Sequence, residues 1–283
     1  MYKIVVHPGS AHKDDFLSVS VLLSALDEVK AVYRREATAE DLADPFTYVV
    51  DVGMEYNADK LNFDHHQDQA LPCAFHLVMK HLGHHERAML MFEWYGHMSM
   101  MDVRGPYRTA EHLGVDTSVL FAASSPIDGY ILSRFSQLER LRQGDLFYRL
   151  MKEFGEDLLA MIGRKMERLE RLKTEALVVP VKHLKAIVCT ITDDPKLSMD
   201  RYLRFLDDER VAMSITPSAR GGGWEMLRIG DNINVDFRAV ADSPDIRFVH
   251  ANGFVAKTET MLPIDETLKL ANRAVFTPDA LAS

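Results

Sequence analysis

Cysteine is almost missing from this chain: Cys73 and Cys189 are the only two, far apart and outside any CxxC pair. That excludes a disulfide framework and a cysteine-rich structural zinc site. No run of eighteen apolar residues occurs, so no membrane-spanning helix is expected. The opening MYKIVVHPGS has no basic segment leading into a long apolar stretch and a small-residue cleavage site, which makes the cytoplasm the expected location. Positive charge is also short. Lys and Arg number 33 against 42 Asp and Glu, a formal net charge of −9, whereas a general nucleic-acid coat needs a positive field. The balance says little about substrate, because carboxylates that await divalent cations inflate the negative count. GxGxxG, Walker and GxSxG elements are absent, so dinucleotide, P-loop and serine-hydrolase readings fall.

The 283 residues, 47% hydrophobic and 27% charged, suffice for two soluble globular domains. Residues 2–7, YKIVVH, read as a buried strand, and DDFLSVSVLLSALDEV as a helix with aspartates at its start. AVYRRE at 31–36, FTYVVDVG at 46–53 and LNFDHH at 61–66 read as further strands, with a small helix in TAEDLAD. Strand and helix alternation predicts an α/β, doubly wound, mostly parallel sheet over 1–126, which binds ligands beyond the carboxyl ends of its strands. FHLVMKHLG and MLMFEWYGHMSMMD are expected helices, their apolar residues core. A helical connector is expected over 127–177, then a smaller strand-rich α+β domain over 178–283 with strands in LKAIVCTI, VAMSITPS, WEMLRI, NVDFRAV and IRFVHANGFVAKT and a closing helix in PIDETLKLANRAVF.

The chemistry concentrates at three strand ends. His7, His12 and Asp14 lie in one strand-to-helix turn, Asp51 ends another strand, and Asp64, His65 and His66 end a third. Divalent ions that activate water are held by imidazole nitrogen and carboxylate oxygen, with positions left open for water and substrate. Mixed N/O ligation without thiolate suits Mn²⁺ first, with Mg²⁺, Co²⁺, Fe²⁺ or Zn²⁺ also compatible. Two ions roughly 3.5–4 Å apart can stabilise both the attacking and leaving oxygens of a phosphoryl displacement.

HPGSAHKDD, then VVDVG, then FDHHQ resembles the DHH phosphoesterases, and most closely the Myg-type branch, named for the melanocyte proliferating gene product, whose first motif is H-x-G-x-x-H-x-D-[ED]. The likeness covers roughly the first 105 residues. It implies a two-metal hydrolase in which His7, His12 and Asp51 hold one ion and Asp14, Asp51, His65 and Asp102 the other, Asp51 bridging. His66 is then free to neutralise a phosphate oxygen or protonate the leaving group, while Asp64 and Asp15 orient ligand imidazoles through the free ring nitrogen. His250 and Gly253, in an H-x-x-G-F pattern, resemble the substrate motif of the DHH-associated domain. The implied substrate is a nucleotide or short oligonucleotide, cut exonuclease-fashion. Alternatives are pyrophosphatase-like activity, a non-catalytic nucleotide- or RNA-binding module with structural metal, and a single-zinc hydrolase of another superfamily. A homodimer stays open, and no membrane partner is expected.

Other features have competing explanations. Arg220 with Gly221–Gly223 can clamp phosphate, though a hairpin loop between SITPS and WEMLRI explains the glycines slightly better. His81, His84 and His85 read as exposed histidines around a helix terminus at Gly83. GRKMERLERLK at 163–173 interleaves glutamates with basic residues, as a solvated face laced with ion pairs does.

Overall fold

The computed structural model describes residues 1–191 and 197–276. It divides into two compact units, Met1–Arg164 and Lys165–Ser283.

The first unit is built on a six-stranded sheet. Its strands are β1 (Tyr2–Val6), β2 (Val29–Arg34), β3 (Thr47–Val50), β4 (Tyr56–Asn57), β5 (Asn62–Phe63) and β6 (Arg140–Leu141), ordered β4-β5-β3-β1-β2-β6. The four central strands run parallel, and antiparallel β4 and β6 close the edges. Strands covered on both faces read as continuous apolar runs, as IVV and YVV do here. Helix α1 (Lys13–Ala25) is buried from Asp14 to Leu23 and lies between the sheet and further helices. On the other face, α2 (Ala39–Ala43) brings Leu42 against Val5, Val49 and Val52. This is the doubly wound arrangement expected from the sequence.

Helices α3 (Ala74–His81), α4 (His85–Met91) and α5 (Glu93–Leu113) follow the parallel core. α5 is two segments meeting at Gly105 (φ +76°), and Pro106 opens the second, where its missing N–H costs nothing. Helices α6 (Thr117–Ala122), α7 (Pro126–Ser136) and α8 (Leu146–Glu175) complete this stretch. The main core joins Ile4, Leu22, Phe63, Phe75, Tyr95 and Phe135. Of the expected connector 127–177, residues up to Arg164 group with the first unit and those from Lys165 with the second, and β6 interrupts its helices. The division falls within α8. Gly155 of α8 packs so tightly on α1 that a Cβ there would collide with the Ser20 carbonyl. The expectation that the methionines and aromatics of 89–101 form core holds for Met91, Phe92 and Tyr95, whereas Met89, Leu90 and Trp94 are exposed.

The second unit has strands β7 (Leu177–Val181), β8 (Leu184–Val188), β9 (Val211–Pro217), β10 (Trp224–Arg228), β11 (Ile246–Val249) and β12 (Val255–Thr258), ordered β11-β12-β10-β9-β8-β7. Among the described residues of this unit, only β8 and β9 pair in parallel. Helix α9 (Met199–Leu206) precedes β9, and α10 (Ile264–Arg273) adds Leu270 and Ala271 to a core with Met213, Ile215, Trp224 and Phe237. The strand expected in NVDFRAV does not form. Asp236 accepts the Arg238 N–H at 2.9 Å, and this local bond turns Phe237–Val240 into a 3-10 helix. In the same way LNFDHH yields only Asn62–Phe63 as strand, because the Asp64 carboxylate takes the His65 and His66 N–H groups at 2.7 and 3.1 Å. The ion-paired face expected at 163–173 includes Lys173–Glu170 at 2.7 Å, with Arg171 reaching Glu175 at 2.9 Å.

Candidate metal centre

Register places the chemistry at one sheet edge. Val6 lies opposite Arg34 on one side and Val50 on the other, and Val50 lies opposite Phe63. The next residues, His7, Asp51 and Asp64, therefore leave adjacent parallel strands at their carboxyl ends. Asp51 turns into the left-handed region (φ +56°) while its N–H still donates to the Phe63 carbonyl at 3.1 Å. Aspartate tolerates this conformation better than most side chains, and local strain of this kind gathers at functional sites.

The side chains converge. The His7 Nε2 stands 4.0 Å from an Asp51 oxygen, and ligand atoms of His7, His12 and Asp51 lie within 4.8 Å of one another. The His65 Nε2 lies 3.2 Å from Asp51, 3.2 Å from Asp102 and 4.0 Å from Asp14. Asp102, on α5 and distant in sequence, thus comes to the same place as the three strand-end loops. Two further groups within 4.8 Å are Asp51 with His65 and His66, and His12 with Asp14 and Asp102. A cavity of about 190 Å³ is lined by His12, Asp51, His65, His66, Gln69, Asp102 and Val103.

The electrostatics favour added positive charge. Asp14, Asp51 and His65 are buried. Burial raises the Asp14 carboxyl well above its ordinary range, and the carboxylates of Asp51, Asp102 and Asp15 push it the same way. Burial alone would lower His65, yet hydrogen bonds to Asp102 and then Asp51 outweigh it and hold the imidazole up at about 10. Both Asp14 oxygens and the His7 Nδ1 are buried without a hydrogen-bond partner among the described residues. Buried acids left unpaired are costly, and divalent cations satisfy them directly. The donor set, imidazole plus carboxylate with no thiolate, fits such ions.

Asp64 bonds a histidine ring of the cluster, that of His66 and not of a residue assigned to metal, and Asp15 bonds no imidazole among the described residues. Asp64 accepts from the Met54 N–H at 2.6 Å and from the His66 Nδ1 at 2.7 Å. Burial opposes its ionisation, but the His66 bonds hold its carboxyl below the ordinary value. Asp15 accepts the His12 backbone N–H at 3.0 Å and faces the buried Arg34 guanidinium at 3.6 Å. Burial raises Asp15 to about 7 against the pull of Arg34.

Arg34 escaped sequence reasoning. It ends β2 at the same edge as His7, and its Nη2 donates to the Gly9 and Ser10 carbonyls at 3.2 and 3.3 Å, tying down the loop between His7 and His12. Its position beside the strand end in VYRRE was the available signal. His85 also departs from expectation. It is half-buried, with its Nδ1 3.0 Å from the Tyr95 hydroxyl.

Arg220, His250 and Gly253 belong to the second unit. Residues 218–223 link antiparallel β9 and β10, with the Ser218 N–H donating to the Gly223 carbonyl at 2.8 Å, as the hairpin reading expects. The His250 Nδ1 accepts the Asn252 N–H at 3.1 Å in the turn between β11 and β12. Gly253 (φ +67°) faces the Asp236 carboxylate, which a Cβ would strike.

Residues 3–98 match the family model MYG1_exonuc, described as an uncharacterised protein family (UPF0160). The resemblance read from the motifs is met over these residues. No curated protein matches the sequence. Among solved structures, an uncharacterized protein from Helicobacter pylori G27 is 10% identical, with 96% of this chain and 100% of that one covered at a TM-score of 0.28. An exopolyphosphatase-related protein from Bacteroides fragilis is 10% identical over 96% and 91% of the two chains, TM-score 0.28. RecJ in complex with Mn²⁺ from Thermus thermophilus is 15% identical over 96% and 51%, TM-score 0.29. At such scores these likenesses carry no argument about mechanism or substrate. Among the described residues no helix is long and apolar enough to cross a membrane.

Proposed function

We propose that this chain, a metal-dependent hydrolase whose residues 3–98 are those of the MYG1-type family, cleaves phosphodiester or phosphoanhydride bonds of nucleotides or short oligonucleotides. The observation that carries the reading is the convergence of three buried or half-buried carboxylates, Asp14, Asp51 and Asp102, on one His65 nitrogen, beside His7 and His12. In this reading His7, His12 and Asp51 hold one ion and Asp14, Asp51, His65 and Asp102 the second, Mn²⁺ being the expected metal. Such ions, when bound, acidify water and neutralise charge on a phosphoryl group.

The chain's own groups supply the rest. Asp51 would serve both ions, because its carboxylate faces His7 on one side and His65 on the other. His66 is half exposed, and Asp64 fixes its ring through Nδ1. The Nε2 is thereby the atom left to meet substrate, and with a proton there it donates to a phosphate or leaving-group oxygen. His66 stays out of the metal set here because the Nδ1 nearest Asp51 is engaged by Asp64. In the second unit, the exposed Arg220 and the His250 turn, shaped by Gly253, are assigned to substrate contact.

The test uses metal-depleted protein with Mn²⁺ restored, assayed on bis(p-nitrophenyl) phosphate, a short RNA, a dinucleotide and pyrophosphate. Turnover that returns with Mn²⁺ on one of the first three supports the reading. Turnover of pyrophosphate alone moves the chain to the pyrophosphatase alternative, and turnover of none of the four rejects the hydrolytic role.

A further inference from the structure

Beside the metal centre the first unit holds a second, larger recess of about 540 Å³, to which the roles above assign nothing. That volume lies within the roughly 300–1,000 Å³ typical of small-molecule sites. Residues of α3, α4 and α5 supply two cations, Lys80 and Arg104, and four imidazoles, His76, His85, His97 and His112, and among the described residues no carboxylate lines it. In a chain of net charge −9 that is a local inversion of sign. The recess shares Gln69 and Val103 with the cavity over Asp51, His65 and His66, so a molecule cleaved at the metal centre can extend directly into it.

Two of the imidazoles are structural. His76 stacks on the Tyr95 ring at 3.9 Å with its Nε2 3.0 Å from the Tyr95 carbonyl, and His85 meets the Tyr95 hydroxyl. Lys80 and Arg104 are different. Both are exposed, and among the described residues neither is paired with a carboxylate. Unpaired cations around a recess favour an anion, and arginine is suited to bidentate contact with phosphate. Leu71, Pro72 and Met100 add apolar wall, which a nucleoside can cover and an inorganic polyphosphate cannot. Another recess that reaches the cluster, of about 350 Å³, is lined by the acids Asp14 and Asp102 with Met98, Met101 and Leu132, and its Lys13 is already paired with Asp128 at 2.7 Å.

We infer that the recess walled by Lys80 and Arg104 binds the neighbouring nucleotide of an oligonucleotide whose scissile phosphate sits at the metal centre, the two cations holding the phosphate next to the one cleaved. This deepens the proposed function and rests on it. The occupant makes the enzyme one that prefers chains of two or more nucleotides to isolated phosphate esters.

The experiment compares wild-type protein with K80M, R104M and the double variant on a pentaribonucleotide, on bis(p-nitrophenyl) phosphate, which has no second phosphate, and on tripolyphosphate. The ratio of kcat/KM for the pentanucleotide to that for the nitrophenyl ester is expected to fall about tenfold or more in the double variant, mainly through KM, as loss of charge-assisted phosphate contacts implies. A ratio that stays within twofold overturns the inference, and so does a loss confined to tripolyphosphate. Binding of a fluorescein-labelled pentanucleotide, read by anisotropy, is measured in parallel. If the wild type hydrolyses nothing but binds the probe and the double variant binds it at least tenfold more weakly, the recess stands while the catalytic reading falls. Equal binding by both proteins, or none by either, removes the recess itself.

Discussion

Truncation of Arg34 is the perturbation whose size the structure fixes best. The R34M substitution removes two guanidinium bonds to the Gly9 and Ser10 carbonyls, the 3.6 Å pairing with Asp15, and the placement of the guanidinium 4.3 Å from the Phe135 ring centre. Methionine fills much of the volume, so the loss is electrostatic. Breaking a buried pair by removing one partner costs about 3–5 kcal/mol where the other charge stays buried and unpaired, a cost reached here only at alkaline pH, because Asp15, already raised to about 7, takes up a proton near neutrality once the guanidinium is gone. Folded domains are stable by only about 5–15 kcal/mol, so R34M is expected to be severe there. Urea denaturation in EDTA at alkaline pH measures it, with D15N and R34M/D15N completing a double-mutant cycle. A coupling of about 1–3 kcal/mol between the two positions is expected, since D15N removes the charge that R34M strands. The freed loop also loosens His7 and His12, so Mn²⁺ affinity of R34M falls. A destabilisation below about 1 kcal/mol, or independent effects of the two substitutions, would refute the idea that Arg34 anchors this loop.

Further outcomes follow from single contacts. D51N is expected to lose more than about 100-fold in metal affinity, since even partners of ligand residues cost 10–100-fold; added Mn²⁺ then raises Tm of the wild type and not of the variant. G155A reverses the usual helix preference for alanine of about 1 kcal/mol and instead destabilises by about 3 kcal/mol, because its Cβ meets the Ser20 carbonyl; a stabilised G155A would contradict the close approach of α8 to α1. Burial, helped by the charges of His85 and Lys80, lowers His76 to about 4. A depressed folded value means stability is complete above about 6.5 and is lost as pH falls toward 4, by up to about 3 kcal/mol, and urea titrations of H76F across that window should lack this slope.

The legible parts of the fold were those where short-range pattern and long-range position coincide. His7, Asp51 and His65 follow apolar runs that are consecutive parallel strands, so the end of each run was also the edge of the sheet. Asp102 could be reached only through the resemblance, because α5 brings it in from a helix whose path depends on packing. Arg34 was hidden for another reason. An arginine at a strand end reads as a solvated residue until the fold shows Phe135 and Asp15 on either side of it. The cationic recess combines Lys80, His85 and Arg104 from three helices, and no spacing in the chain relates them. Asp64 and Asp236 show the opposite failure: the apolar pattern suggested strand, and a carboxylate bonding the backbone nearby won.

The acids at the sheet edge are held by a fold that offers them little fixed positive charge. Arg34 faces Asp15 and reaches toward the Gly9 and Ser10 carbonyls, so its charge acts mainly on the loop and on Asp15, with a lesser share felt by Asp51. His65 faces all three, so a single imidazolium is shared among three acids, and the Asp14 carboxyl stays raised by burial and by its neighbours. Helix α1 begins at Lys13, so its amide dipoles favour Asp14 by only a fraction of a charge. A divalent cation replacing the His65 proton changes the local sum from one positive charge to two, and a second ion makes it four. Occupancy and stability are therefore coupled in the first unit, and the metal-free protein should unfold at lower denaturant than the Mn²⁺-loaded one by RT ln(1 + [L]/Kd), a shift that D51N abolishes.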